Sequence, residues 1–415
     1  MRVTAGLSRL LRLPGVHVRD VRFDADRVVV QVALRRRRLI CPRCSFSTAH
    51  RHDVRSVDSD WRHLDLGVWR VEVRARLRRL VCPEHGVLTE RVPFARYRSD
   101  FTRDFEALAA WLATRTDKTT ITRLLRIHWR TVGRIIQRVC ADELDADRLD
   151  GLVEIGIDEV SWRKGHRYLT LVADHGRRQI VWGAEGASAK VADEFYAQLG
   201  PERAGQIAAV SMDMGPGYAK STRAHAPQAV VCIDSFHVAK LGGDALDEVR
   251  RDYWNQLRSL DDQDAAKRFK DARWALLKRP ENLTDRQAQT LRELKAAGGT
   301  VARAYELKEA LRGIFAAGLS IDDVAELLAR FCSRASRSRM PAFVRLARTI
   351  RKHRDGILAA IGLGLTNARA EALNNKVRLI TRRAYGFHSS DAALALVMLT
   401  CGPITLQPPH ELHLH

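Results

Sequence analysis

The spacing of apolar positions changes along the chain, and each change marks a change of element type. Early on, DRVVVQVALRRRR and VWRVEVRARLRRLV alternate apolar and polar residues, the two-residue period of half-buried strands. In the second run Val71, Val73, Ala75 and Leu77 fall on one face, with Arg70, Glu72, Arg74, Arg76 and Arg78 on the other. From about Phe101 the spacing becomes helical. DFEALAAWLATR predicts a helix with Phe105, Leu108, Ala109 and Leu112 inward, and KTTITRLLRIH a short second one. WRTVGRIIQRVC predicts a third, burying Val132, Ile135, Ile136 and Val139, before an acidic linker from Asp142 to Asp150. From Val153 the pattern returns to strands: VEIGIDEVSW, HRYLTLVAD and RQIVWGAEG, separated by turn signals. Then come a helix (VADEFYAQL), a strand (QIAAVSMDM), a short helix (PGYAKSTRAH) and a strand (AVVCID). Beyond Asp234 the chain is helix-compatible, with breaks at Pro280, Gly298-Gly299 and Gly318.

The order β-β-β-α-β-α-β, opening with three meandering strands, is RNase H-like. In that order the first strand is central and the fourth lies beside it. The expected fold is therefore a multidomain α+β chain. A β-rich zinc-binding domain (1–98) precedes a helix-turn-helix (99–149). An RNase H-like mixed sheet (150–237) is then interrupted by an all-helical insertion (238–362). Helices at 363–402 complete the catalytic part, and 403–415 form a tail.

Charge narrows the function. Lys and Arg number 70 against 49 Asp and Glu, a formal net charge of +21 over 415 residues, which suits a polyanionic partner. No apolar run approaches the ~18 residues of a membrane span, so no membrane partner is expected. MRVTAGLSRLLRLPG carries Arg inside its apolar stretch and makes a poor signal peptide. Seven cysteines, an odd number, argue against a disulfide framework and for a reducing cytoplasm.

Two clusters carry chemistry. CPRC (Cys41, Cys44) and CPEH (Cys82, His85) each present two ligands at knuckle spacing, together a site for one structural Zn²⁺. His50, His52 and His63 lie between them as substitute ligands. The second cluster is acidic. Asp158 and Asp213 each end a short apolar run that reads as a buried strand, and Glu371 lies on a polar-basic helix. Three such carboxylates make a site for two Mg²⁺ (or Mn²⁺) ions and for phosphoryl transfer on nucleic acid. Alternation turns Glu159 to the opposite face, Asp174 borders a turn, and Asp234 with His237 is a possible accessory pair that shapes the site, binds DNA or caps a helix. Asn367, Glu371, Asn374, Arg378 and Arg382 share one helix face, flanked by Lys376 and Arg383, and that face suits phosphate contacts. Arg130, Thr131 and Arg134 face outward at the start of the third helix of the helix-turn-helix, where such folds read DNA. Arg273 and Trp274 pair charge with an aromatic that either stacks on an unpaired base or packs in a helix core.

Taken together, GIDEVSWRKGHRYLTLVAD, SMDM, CIDSFHV, RWALLKRPENLT and NARAEALNNKVRLITRRAYGF resemble the DDE transposases of the ISL3 family of bacterial insertion sequences. The resemblance spans nearly the whole chain. It implies binding of terminal inverted repeats, DNA cleavage and strand transfer into a double-stranded target, with a homodimer or larger complex pairing two ends. It carries the catalytic triad onto Asp158, Asp213 and Glu371, and zinc binding onto Cys41, Cys44, Cys82 and His85. Two rival classes stay open: a metal-dependent nuclease of the same fold without strand transfer, and a zinc and helix-turn-helix DNA-binding regulator.

Overall fold

The computed structural model describes residues 2–163, 165–259, 266–267, 269–270, 272–316, 318–365, 368–384 and 386–412; the side chains of 216, 368–371, 374 and 412 are not described. The chain forms two compact units, residues 1–146 with 379–415, and residues 147–378.

The first unit opens with α1 (Val3–Leu11) and a four-stranded sheet built from β1 (Val16–Phe23), β2 (Arg27–Leu34), β3 (Ser59–Leu66) and β4 (Trp69–Ala75). The spatial order is β1-β2-β4-β3, with β2 and β4 parallel. Val71, Val73, Ala75 and Leu77 are buried, as the alternation predicts. The opposite face is less cationic than its sequence suggests. Arg74 pairs with Asp60, Arg76 with Asp58, and Arg78 with the buried Glu90, while Glu72 accepts from Arg27 at 2.8 Å. Short strands at Leu39–Ile40, Ser47–Thr48, Asp53–Val54, Arg78–Cys82 and Gly86–Thr89 form a ribbon around the knuckles.

Three helices follow: α2 (Arg103–Ala113), α3 (Lys118–Leu125) and α4 (Trp129–Glu143). Thr102 caps α2 by accepting from the Phe105 amide, and Asp117 caps α3 by accepting from Thr120. Arg126, in the left-handed region at φ 53°, ends α3 and turns the chain into α4. The apolar face of α4 is the expected one. That of α2 is rotated from expectation: Phe105, Glu106, Ala109, Ala110 and Ala113 are buried, and Leu108 and Leu112 only half so. The cause is a buried carboxylate. Glu106, with no exposed surface, accepts from Ser99 (2.7 Å), Arg138 (2.6 Å) and Arg96 (3.3 Å). Asp142 and Glu143, expected in a linker, belong to α4 and pair with the same Arg96.

The second unit is built on β5 (Glu154–Arg163), β6 (Arg167–Asp174), β7 (Gln179–Glu185), β8 (Ala209–Met212) and β9 (Val230–Ile233). The sheet order is β7-β6-β5-β8-β9. The first three strands run antiparallel in a meander, and β8 and β9 run parallel to β5. Helices α5 (Ala189–Leu199) and α6 (Pro216–His225) connect them. The chain then turns helical from α7 (Ser235–Ser259) through α8 (Arg273–Leu277), α9 (Gly299–Ala316) and further helices to Gly362. These helices share one apolar core with the sheet: Ile157, Val210 and Ile233 belong to the same cluster as Leu246, Leu311 and Phe343. Breaks fall at the expected positions, with Gly298, Gly299 and Gly318 at positive φ.

The division between units falls inside α10 (Ala368–Arg383). The sequence pattern groups 363–402 with the catalytic part, but by packing the residues from Leu379 onward go with the first unit. There Arg383 donates to the carbonyls of Thr114 (2.8 Å) and Arg115 (3.2 Å) at the end of α2, and α11 (Ser390–Cys401) packs on α4. α11 is apolar nearly all round and buried accordingly. Among the described residues no helix is long and apolar enough to cross a membrane.

Candidate active site and metal centre

The ribbon brings Cys41, Cys44, Cys82 and His85 together, their ligand atoms all within 4.8 Å of one another. A tetrahedral ion with Zn–S of about 2.3 Å and Zn–N of about 2.0–2.1 Å needs S···S edges near 3.8 Å and S···N edges near 3.5 Å. The Sγ atoms of Cys44 and Cys82 are 3.7 Å apart, and His85 Nδ1 lies 3.5 Å from Cys82 Sγ and 3.8 Å from Cys41 Sγ. The donor set and its spacing therefore fit zinc. The other histidines are engaged elsewhere or stand apart: His63 bonds Thr102 at 2.8 Å, His52 pairs with Asp53, and His50 is exposed.

In the second unit the register lines up three aspartates. Ile157 of β5 pairs with Met212 of β8, and Met212 pairs with Ile233 of β9. Asp158, within β5, and Asp213 and Asp234, the first residues past β8 and β9, are the next in register, so they stand in a row where β8 and β9 end. Their environments differ. Asp158 is half-buried and accepts from the Glu159 amide at 2.7 Å. Asp213 lies just past its strand with half its side chain exposed, and accepts from the Gly215 amide at 3.3 Å. Asp234 is buried; its Oδ1 accepts from the Phe236 amide and its Oδ2 from His237 Nδ1 at 3.0 Å.

That last bond aims the other imidazole nitrogen, Nε2, at Asp213 Oδ2, 4.0 Å away. The Asp234 hydrogen bond raises the His237 pKa; burial opposes it, and the charges of Asp213, Asp234 and Asp158 add to it. Asp234 thus both starts α7 and orients His237. Glu159 faces away, as alternation requires, and accepts from Tyr218 at 2.6 Å. Burial, followed by that bond to Glu159, raises the Tyr218 pKa. Asp174 closes a turn by accepting from the Gly176 and Arg177 amides.

Glu371 lies on α10, but its side chain, like that of Asn374, is outside the described residues, as is Asn367 altogether. Lys376, Arg378 and Arg382 are exposed on the same helix. At the start of α4, Arg130 and Arg134 are exposed and Thr131 half-buried. Arg273 and Trp274 are exposed, with the guanidinium 5.0 Å from the indole centroid, so Trp274 is not core.

A family profile described as a transposase matches residues 155–396, more than half of the chain. The helix-turn-helix domain of transposase family ISL3 matches 90–140, and the zinc-finger of transposases IS204/IS1001/IS1096/IS1165 matches 37–85. The chain belongs to the ISL3 family of insertion-sequence transposases. Among curated relatives, the transposase for insertion sequence element IS1557 of Mycobacterium tuberculosis is 39% identical over 413 residues, covering 92% of each chain. The transposase for IS1001 of Bordetella parapertussis is 31% identical over 361 residues, 85% of this chain and 86% of its own. In this transposase the zinc-finger match contains all four clustered ligands, and the helix-turn-helix match contains α2, α3 and most of α4. The catalytic match contains Asp158, Asp213, Asp234 and Glu371. It is an enzyme of DNA phosphoryl transfer, with a zinc ribbon, a DNA-binding helix-turn-helix and a catalytic domain of the DDE type.

Sequence reasoning missed the buried Glu106 network and the way Asp234 aims His237. The first left no signal, because a carboxylate inside a helical pattern reads as solvent-facing. The second was partly legible in the spacing Asp-x-x-His, one helical turn.

Proposed function

We propose that this transposase cuts DNA at the ends of its element and joins them to target DNA, with Asp158, Asp213 and Glu371 holding two divalent cations. The observation that supports the reading is the aspartate row, in which Asp158 of β5 stands next in register to Asp213, the first residue past the adjacent parallel strand β8. The sheet order, with β5 central and β8 beside it, is the RNase H-like one, and residues 238–362 are its helical insertion. The donor set is all carboxylate oxygen, which suits Mg²⁺ or Mn²⁺. Such cations, when bound, activate the attacking oxygen and offset charge on the leaving one.

The chain's own residues do the rest. Asp213, open to solvent, would hold a cation where a phosphate can approach, while Asp158 is held in place by its strand. Asp234 and His237 position that row: His237 sets a donor nitrogen beside Asp213 and lowers the repulsion among its three acids. Arg130, Thr131 and Arg134 contact the terminal repeats, and Lys376, Arg378 and Arg382, with Asn374, hold phosphates near the cut. Two ends must be paired before joining, so the working form is a homodimer or larger, acting in the cytoplasm on nucleoid DNA.

The test uses labelled DNA flanking the gene, Mg²⁺ and a supercoiled plasmid. Wild type is run against Asp158→Asn and Glu371→Gln, with binding followed by gel shift. Cleavage and joining by wild type, with binding alone by both variants, is the expected result. Cleavage without joining would leave a nuclease, and equal binding with no cutting under any divalent metal would leave a DNA-binding regulator.

A further inference from the structure

A concave groove of about 410 Å³ begins one residue from the Asp234–His237 pair. One wall is a single face of α7, where Phe236, Lys240, Gly243, Asp244 and Asp247 recur at helical steps. The opposite wall comes from Arg273 and Arg279 at either end of α8 and its following turn, and from Lys308 and Arg312 on α9. Two of these cations have structural partners. Lys308 is buried, donates to the Leu276 carbonyl at 3.1 Å and pairs with Glu309; Arg312 pairs with Glu309 at 2.8 Å and Glu281 at 3.4 Å.

The other three are different. Lys240, Arg273 and Arg279 are exposed and have no carboxylate partner among the described residues. Of the two acids lining the groove, Asp247 is taken by Arg250 and Arg251, leaving Asp244 against three available cations. Phe236, 48% exposed, stands at the end nearest the aspartate row, its ring in edge contact with that of His237 at 5.9 Å between centroids. An apolar ring beside a charged reaction centre gains nothing from water. It offers a stacking platform to a flat partner, and aromatic platforms beside cation-lined grooves hold unpaired bases and their phosphates. A duplex keeps its base faces covered, so Phe236 can stack only on a nucleotide that has left the helix.

We infer that this groove is a binding subsite for a single DNA strand adjacent to the scissile phosphate, with Phe236 stacking on the first unpaired base and Lys240, Arg273 and Arg279 taking its phosphates. The inference rests on the catalytic reading above and extends it. Cutting at Asp158 and Asp213 would occur on DNA whose end is opened locally, and the groove would hold the displaced strand.

The experiment measures binding, so it does not depend on turnover. Full-length Asp158→Asn protein is titrated with the gene's own terminal DNA in two forms, fully paired and with the three nucleotides flanking the cut left unpaired. The parent should prefer the unpaired form by about tenfold, the scale of one base–aromatic stack. Phe236→Ala should abolish the preference while leaving affinity for paired DNA unchanged. Lys240→Ala/Arg279→Ala should lower affinity for the unpaired form and reduce its salt slope by about 1.4, the value for two single-strand phosphate contacts. An unchanged preference in all variants, with circular dichroism showing them folded, overturns the subsite. So does a parent without any preference. If wild type fails to cut or join DNA while the variants lose the preference, the subsite stands and the catalytic reading falls.

Discussion

Replacing Lys118 with methionine should stabilise this protein at neutral pH. Lys118 is the first residue of α3, only 4% exposed, and its Nζ has no hydrogen-bond partner among the described residues. The ammonium lies 4.0 Å from the Trp129 ring centroid and 5.5 Å from that of Phe387. Burial pushes its pKa down from 10.5 to about 8. That gap corresponds to roughly 3 kcal/mol of penalty on the charged form. The aromatic faces return about 1–2 kcal/mol through cation–π attraction. A net cost of about 1–2 kcal/mol remains, and a positive charge in the first turn of a helix adds to it slightly. Methionine fills the same space, and its sulfur packs well against aromatic rings.

The pH dependence has a definite sign. Below about pH 8 the lysine is charged in both folded and unfolded chains, and the full penalty applies. Between about 8 and 10.5 the unfolded chain keeps the proton while the folded chain gives it up, so stability rises with pH. Above that range the penalty is gone. Urea denaturation of Lys118→Met and wild type at pH 7 and pH 10.5, followed by circular dichroism and tryptophan fluorescence, reads this directly. The variant should gain at pH 7 and show little gain at pH 10.5. A variant less stable than wild type at pH 7, or a gain of equal size at both pH values, refutes the reasoning.

Other perturbations follow from single contacts. Purified protein should carry one zinc per chain by elemental analysis, and Cys44→Ala or Cys82→Ala should lose it, because each removes one corner of the four-ligand set. Glu106→Ala should lower stability by about 1–3 kcal/mol in a denaturation experiment, since it removes the buried acceptor shared by Ser99, Arg96 and Arg138 while Arg96 keeps Asp142 and Glu143. Gly156→Ala should destabilise the second unit by about 1–3 kcal/mol, as a Cβ there would come within 2.9 Å of His175 Nε2 and 3.1 Å of Ser211 Oγ; limited proteolysis or hydrogen exchange across β5 would register it.

Legibility followed burial. Each strand of the mixed sheet appeared in the sequence because it carries a short run rich in apolar residues, and turn residues separate the strands of the meander. The apolar face of α4 was legible for the same reason. The face of α2 was not, because Glu106 breaks the rule that charge faces water, and only the distant Arg96, Arg138 and Ser99 make its burial tolerable. The knuckles were readable from spacing alone, since two ligands per turn is a local property. That Asp158 and Asp213 are neighbours followed from the strand order, but the place of Asp234 in the row needed the register of the third strand, which no local pattern states. The pairing of Arg74 with Asp60 and of Arg76 with Asp58 had no sequence signal, because the acids come from a neighbouring strand and the turn before it.

The first unit is made from both ends of the chain, with α11 lying on α4 and Arg383 tied to the end of α2. During synthesis, therefore, the DNA-reading helices emerge early and wait for their cover. The 232 residues of the other unit are made in between, which takes on the order of tens of seconds. Until the ribosome finishes, the apolar side of α4 lacks its last partner. A transcript broken anywhere before Leu379 yields a chain whose helix-turn-helix is unfinished.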